Sequence, residues 1–246
     1  MAFGETHVNE ILERFTIFAV TLVVALLVWR YYKGRTFPST DRYSTFGPRF
    51  WTGFVDSCIL WPISFVTFAL LCLDVPRSVA ALLVIVESGT WLVYTVVMHA
   101  RYGQTVGKMV TKVRVVDFHT EGSISWRQAW LREGIPTLLS LGFLGYQVYS
   151  ILAGNVTLRA VANGEALASG EPSWLLSALP GLWFLAEVLT MLTNQKRRAL
   201  HDFIAGTVVV RTNLEQGGAH PDGAPNDRPA TDVGPSGVTE GVQSVI

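Results

Sequence analysis

The run from Phe50 to Leu73, FWTGFVDSCILWPISFVTFALLCL, contains 24 residues and a single charged group, Asp56. A helix needs about 20 mostly apolar residues to cross the hydrocarbon core of a bilayer, so this run reads as a membrane span. Four more stretches outward from it qualify. One covers roughly 11–31, with a charge-free centre from Phe15 to Trp29 between Arg14 and Arg30. Ser78–His99 is broken only by Glu87, and Ser173–Thr193 only by Glu187. Gly134–Leu158 carries no charge and places a span at about 135–153.

The whole chain agrees with this reading. Half of its 246 residues are hydrophobic and 15% are charged, against roughly 25% in soluble domains, and the mean hydropathy is +0.35. Nineteen basic and nineteen acidic residues cancel, which leaves no net field to draw nucleic acid. Cys58 and Cys72 lie in one apolar run; in a helix they stand about 21 Å apart along the axis and cannot bridge. The expected fold is an all-α, polytopic helical membrane protein with about five transmembrane helices.

Orientation follows from the basic residues. Segments 30–49, 100–134 and 194–246 hold 16 of the 19 Lys and Arg, and the other segments hold Arg14, Arg77 and Arg159. The positive-inside rule then puts the amino end outside and the carboxyl end in the cytoplasm. The leader before the first span holds Glu5, Glu10 and Glu13 rather than a basic cluster, which favours an uncleaved helix over a signal peptide.

Between spans, 74–77 reads as a tight connection and 154–172 as a polar external loop. The β-branched run Val110, Val113, Val115, Val116 is followed by a turn at His119–Gly122 and a candidate return strand at Ser123–Ser125. Trp126–Glu133 reads as an interfacial amphipathic helix, with Arg127 and Arg132 turned to lipid phosphates. Thr207–Arg211 is a second β-branched run, expected to pair with Val113–Asp117 in a small cytoplasmic sheet. Residues 212–246, rich in Gly, Pro, Asp and Ser, read as a disordered cytoplasmic tail.

Asp56, Glu87 and Glu187 are ionisable groups inside spans, where insertion at mid-helix costs about 2.5–3.5 kcal/mol. One reading makes them a proton or cation relay opening to the cytoplasm. The other makes them packing groups bonded through Ser57, Ser64, Ser88 or Thr190. Arg49 precedes Asp56 by seven residues and shares its helix face, but about 10.5 Å of axial separation is long for a direct pair. Arg49 is expected to meet lipid phosphate or an acid at the surface, with Asp202 one candidate, or to act as a plain positive anchor. His99, His119 and His201 lack metal-ligand spacing, so no metal or other cofactor is expected. Gly103–Met109 lacks the second half of a Walker loop. No credible nucleophile and base combination argues for an enzyme.

Three separated motifs are Gly47-Pro48-Arg49-Phe50 with Val55-Asp56, Gly103-Gln104-Thr105-Val106-Gly107-Lys108 with Val113–Asp117, and Leu200-His201-Asp202 running to Val210. Together they resemble the RDD family, whose naming arginine and two aspartates map onto Arg49, Asp56 and Asp202. The similarity spans roughly 46–211. Residues 1–33, an extra transmembrane helix, and the tail from 212 look like additions to that core. The resemblance implies a bacterial or archaeal cytoplasmic-membrane protein, with transport, including cation–proton antiport, suggested for some members. The expected function is movement of protons or small cations by a homo-oligomer in the lipid bilayer. Asp56 would be central, Glu87 and Glu187 would assist, and Arg49 and Asp202 would form the cytoplasmic mouth. The alternative is a non-catalytic scaffold or accessory subunit that recruits cytoplasmic partners.

Overall fold

The apolar runs become long helices in a computed structural model, which describes residues 2–73, 75–163 and 173–215. In chain order these are α1 (Ala2–Tyr32), α2 (Phe46–Leu71), α3 (Arg77–Tyr102), the short α4 (Val106–Val110), strand β1 (Val113–Asp117) and α5 (Trp126–Ala153). The short α6 (Leu158–Ala162), α7 (Ser173–Thr193), the short α8 (Leu200–Ala205) and β2 (Thr207–Arg211) follow among the described residues. Among the described residues, four helical segments are long and apolar enough to cross a membrane: Asn9–Tyr32, Phe46–Leu71, Arg77–Tyr102 and Trp126–Ala153. A shorter apolar segment, Ala178–Thr193, lies in α7. Their surfaces are apolar in the manner of a lipid-solvated protein: Leu138 is 68% exposed and Leu27 60%. Water would penalise such a surface, and hydrocarbon does not.

α3 packs along α5, α1 along α2, and α4 and α8 lie against α2 and α5 respectively. Apolar clusters close both ends of the bundle. At the α6 end, Phe68, Leu71, Ala80, Val84, Ile151 and Val161 pack together. At the opposite end, Val96 and Ala129 pack against the strand residues Val113, Val115 and Val209. β1 and β2 pair antiparallel with Val115 opposite Val209, the pairing expected from the two β-branched runs. Every residue of β2 is buried, which suits its unbroken Thr-Val-Val-Val core.

Three local expectations differ. Ser123–Ser125 makes no return strand; Ser125 instead caps α5, its hydroxyl accepting from the Gln128 backbone N–H while the Gln128 side-chain Oε1 accepts from the Ser125 N–H. That reciprocal capping box lets Trp126–Glu133 run without a break into the following apolar stretch, so one 28-residue helix replaces an interfacial helix plus a span. The connection 154–172, expected as a polar external loop, contains α6, and its residues 164–172 lie outside the described set. The expected tail begins in order: the Phe37 N–H donates to Asn213 O at 2.9 Å and the Glu215 N–H donates to Phe37 O at 2.8 Å. Residues 216–246 lie outside the described set.

Candidate functional site

Asp56 is the eleventh of the 26 residues of α2 and is 4% exposed. A carboxylate there requires donors, and three reach it. Tyr94 of α3 donates its hydroxyl to Oδ1 at 2.7 Å, the Gly107 N–H donates to the same oxygen at 2.7 Å, and Thr105 donates its hydroxyl to Oδ2 at 2.7 Å. The Gly103–Lys108 segment, which fails as a nucleotide loop, is therefore the cradle for Asp56. Gly103 ends α3 in the left-handed region at φ +67°, turning the chain toward α2. Gly107 makes the approach possible, because a Cβ there would stand 2.3 Å from the Thr52 backbone oxygen. Thr52 and Thr111 join their hydroxyls at 3.2 Å on the same contact.

Asp202, in the first turn of α8, is fully buried. Arg49 from α2 donates to Oδ2 at 2.6 Å, and the Ala199 N–H donates to the same oxygen at 3.0 Å. Arg132 from α5 donates to Oδ1, which also accepts from the Thr207 hydroxyl at 3.1 Å. Burial alone pushes this carboxyl up, but the two guanidinium groups outweigh it and hold the group well below the usual carboxylate range. Of the partners foreseen for Arg49, Asp202 is the one it meets. Arg132, read from sequence as a lipid-facing cation, is instead 4% exposed, because the unbroken α5 turns it inward. Arg127 stays exposed.

Two further polar series adjoin these acids. Lys108 Nζ lies 2.9 Å from His99 Nε2, and His99 Nδ1 lies 3.3 Å from Glu133 Oε1. Burial, reinforced by Arg132, lowers the Lys108 ammonium to about 8. On the other side, Glu187 of α7 meets His201 Nδ1, and His201 Nε2 lies 3.7 Å from Asp202 Oδ1. Thr190 bonds back to its own helix, at Ala186 O and Glu187 O, and leaves the Glu187 carboxyl to His201.

Glu87 stands apart from both acids. It lines a cavity of about 470 Å³ toward the α6 end, with Ser64 and Thr67 of α2, Ser88 and Thr90 of α3 and Gln147 of α5. The three acids expected inside spans thus do not form one cluster opening at one end; Glu187 lies in α7, whose apolar segment is shorter than the four candidate spans. Glu87 and Tyr94 do share a face of α3, since seven residues are within 20° of two turns.

Sequence reasoning missed Tyr94, Thr105, His99, Glu133 and the inward role of Arg132. The usable signal was demand: a buried carboxylate needs donors, and the hydroxyls of Thr105 and Tyr94 were available.

The family model described as RDD family matches residues 43–206. That interval holds Arg49, Asp56 and Asp202 together with all the donors that meet the two aspartates, apart from Thr207. No match was found among curated proteins or among solved structures.

Proposed function

The chain belongs to the RDD family of membrane proteins, and from that premise we propose that it moves protons or small cations across the cell membrane. The observation that carries this reading is the polar cavity around Glu87. A carboxyl in the apolar middle of a 26-residue helix, set among four hydroxyl groups, Gln147 and Asn163, with Arg14 also on the lining, supplies oxygen ligands that a hard cation or a hydrated proton requires. From there the face of α3 leads to Tyr94 and Asp56, and the Lys108–His99–Glu133 and Asp202–His201–Glu187 series continue toward the sheet. Asp56, already engaged by three donors, anchors the inner end of this path. Glu87 and the Glu187–His201 pair are the groups that exchange protons.

In this reading the α6 end faces outside and the sheet end faces the cytoplasm, with the amino terminus out and the carboxyl terminus in. The chain works as a homo-oligomer and catalyses no covalent reaction. The test is reconstitution into liposomes with a pH-sensitive dye inside, followed by a Na⁺ or K⁺ jump. Cation-driven proton flux in the wild type, lost in Glu87→Gln, supports the reading; absence of flux from a folded, oriented protein removes it.

A second reading has its own support. Asp56 and Asp202 together tie α2, α3, α4, α5, α8 and β2, as packing devices of a membrane scaffold would. That reading expects folding, rather than flux, to respond to both aspartates, and a cytoplasmic partner to co-purify with the chain.

A further inference from the structure

Arg49 is only partly used by the contacts described above. Its Nη1 serves Asp202, with Met191 Sδ at 3.5 Å, while Nε and Nη2 are buried and lack a partner. The side chain is 9% exposed. Leaving guanidinium N–H groups buried and unbonded is costly, and two such donors in a planar fork match the oxygens of a phosphate.

Arg49 lines a cavity of about 190 Å³ between the start of α2 and the last turns of α7. Lys108, Arg132, Glu187 and His201 also reach it. Arg49 and Arg132 share the Asp202 carboxylate, Lys108 adds a third basic group, and Glu187 is itself engaged by His201. The rest of the wall is apolar: Phe46, Phe50, Phe184, Val188 and Met191. Phe50 is 51% exposed and Phe184 56%, so the cavity wall continues onto the lipid-facing surface of both helices.

We propose that this cavity binds the phosphate of an anionic lipid headgroup, with Arg49 Nε and Nη2 as donors and Lys108 supplying further positive charge. The ligand chemistry is a phosphate oxyanion. The apolar wall beside it selects an amphiphile, whose acyl chains lie along Phe50 and Phe184. The site is separate from the Glu87 cavity, although it shares Glu187 and His201 with the proposed proton route; lipid binding is read without any flux measurement.

The test uses the full chain in a non-ionic detergent, titrated in turn with short-chain phosphatidylglycerol, short-chain phosphatidylcholine and inorganic phosphate. Binding is read by thermal unfolding and by native mass spectrometry. Arg49→Lys keeps one cation for Asp202 but removes the fork, and Val188→Trp fills the cavity without touching the Arg49–Asp202 pair. Phosphatidylglycerol should bind at least fivefold more tightly than phosphatidylcholine, and both variants should lose at least fivefold in that affinity. Binding of inorganic phosphate without phosphatidylglycerol overturns the lipid source and assigns the cavity to a free anion. Equal binding of the two lipids, or full phosphatidylglycerol binding in a folded Val188→Trp variant, overturns the proposal.

Discussion

Arg49 and Asp202, separated by 153 positions in the sequence, meet at 2.6 Å in a site where the aspartate has no exposure. With Arg132 on its other oxygen, Asp202 neutralises two guanidinium groups from different long helices. Its removal exposes both to each other. Asp202→Asn should therefore destabilise the folded chain by about 3–5 kcal/mol, the usual effect of breaking a buried ion pair from one side. Thr207→Val, which deletes one neutral donor to the same carboxylate, should lose about 1 kcal/mol. Unfolding of both variants in detergent gives the comparison; equal and small losses would mean that the guanidinium groups find other partners.

Gly107→Ala places a methyl group 2.3 Å from the Thr52 carbonyl oxygen, and that neighbour is backbone, not a side chain that can swing away. α4 must retreat from α2, lengthening the Gly107 N–H to Asp56 bond. The expected loss is about 1–3 kcal/mol. A melting temperature equal to that of the wild type would show that α4 is not tightly docked.

Acid and base titrations should act differently on this end of the protein. Asp202 titrates lower when folded than when unfolded, so its contribution is complete above about pH 4 and is lost as pH falls below that. Lys108 is lowered from 10.5 to about 8. Between those values the unfolded chain binds the extra proton, so folded stability rises with pH across that window. Wild-type melting temperature should rise relative to Lys108→Met between pH 8 and pH 10, and the two should keep a constant difference from pH 5 to pH 7.

Glu87→Gln keeps the size of the side chain and removes its charge. Because Glu87 lines a cavity and does not tie helices together, the melting temperature should stay within about 0.5 kcal/mol of wild type in equivalent stability. Cation-driven proton flux should fall at least tenfold. A variant with unaltered flux would take the Glu87 cavity out of the transport route.

Length and hydropathy were enough to locate the long helices, since a span leaves a run that soluble packing does not. The strands were legible for a related reason: Val113–Val116 and Thr207–Val210 are β-branched runs too short for a span. The continuity of α5 was not, because Arg132 and Glu133 look like the border of a span until their partners, Asp202 and His99, are known. The ties between segments were legible in one case only in part: Asp202 was one candidate surface partner for Arg49, beside lipid phosphate and a plain anchoring role. Tyr94 and Thr105 gave no such sign. A hydroxyl is common in both settings, and its worth at Asp56 depends on a loop folding back over some 50 positions.

The order in which the segments are synthesised gives the Asp202 clasp a consequence for biogenesis. α8 leaves the ribosome after α1 to α7, so the helices enter the translocon before the aspartate that ties two of them exists outside the exit tunnel. Until Asp202 is made, Arg49 and Arg132 lack the carboxylate that joins them in the finished chain. A chain stalled just before α8 would carry its apolar helices yet hold two unquenched cations, a recognisable signature for membrane quality control.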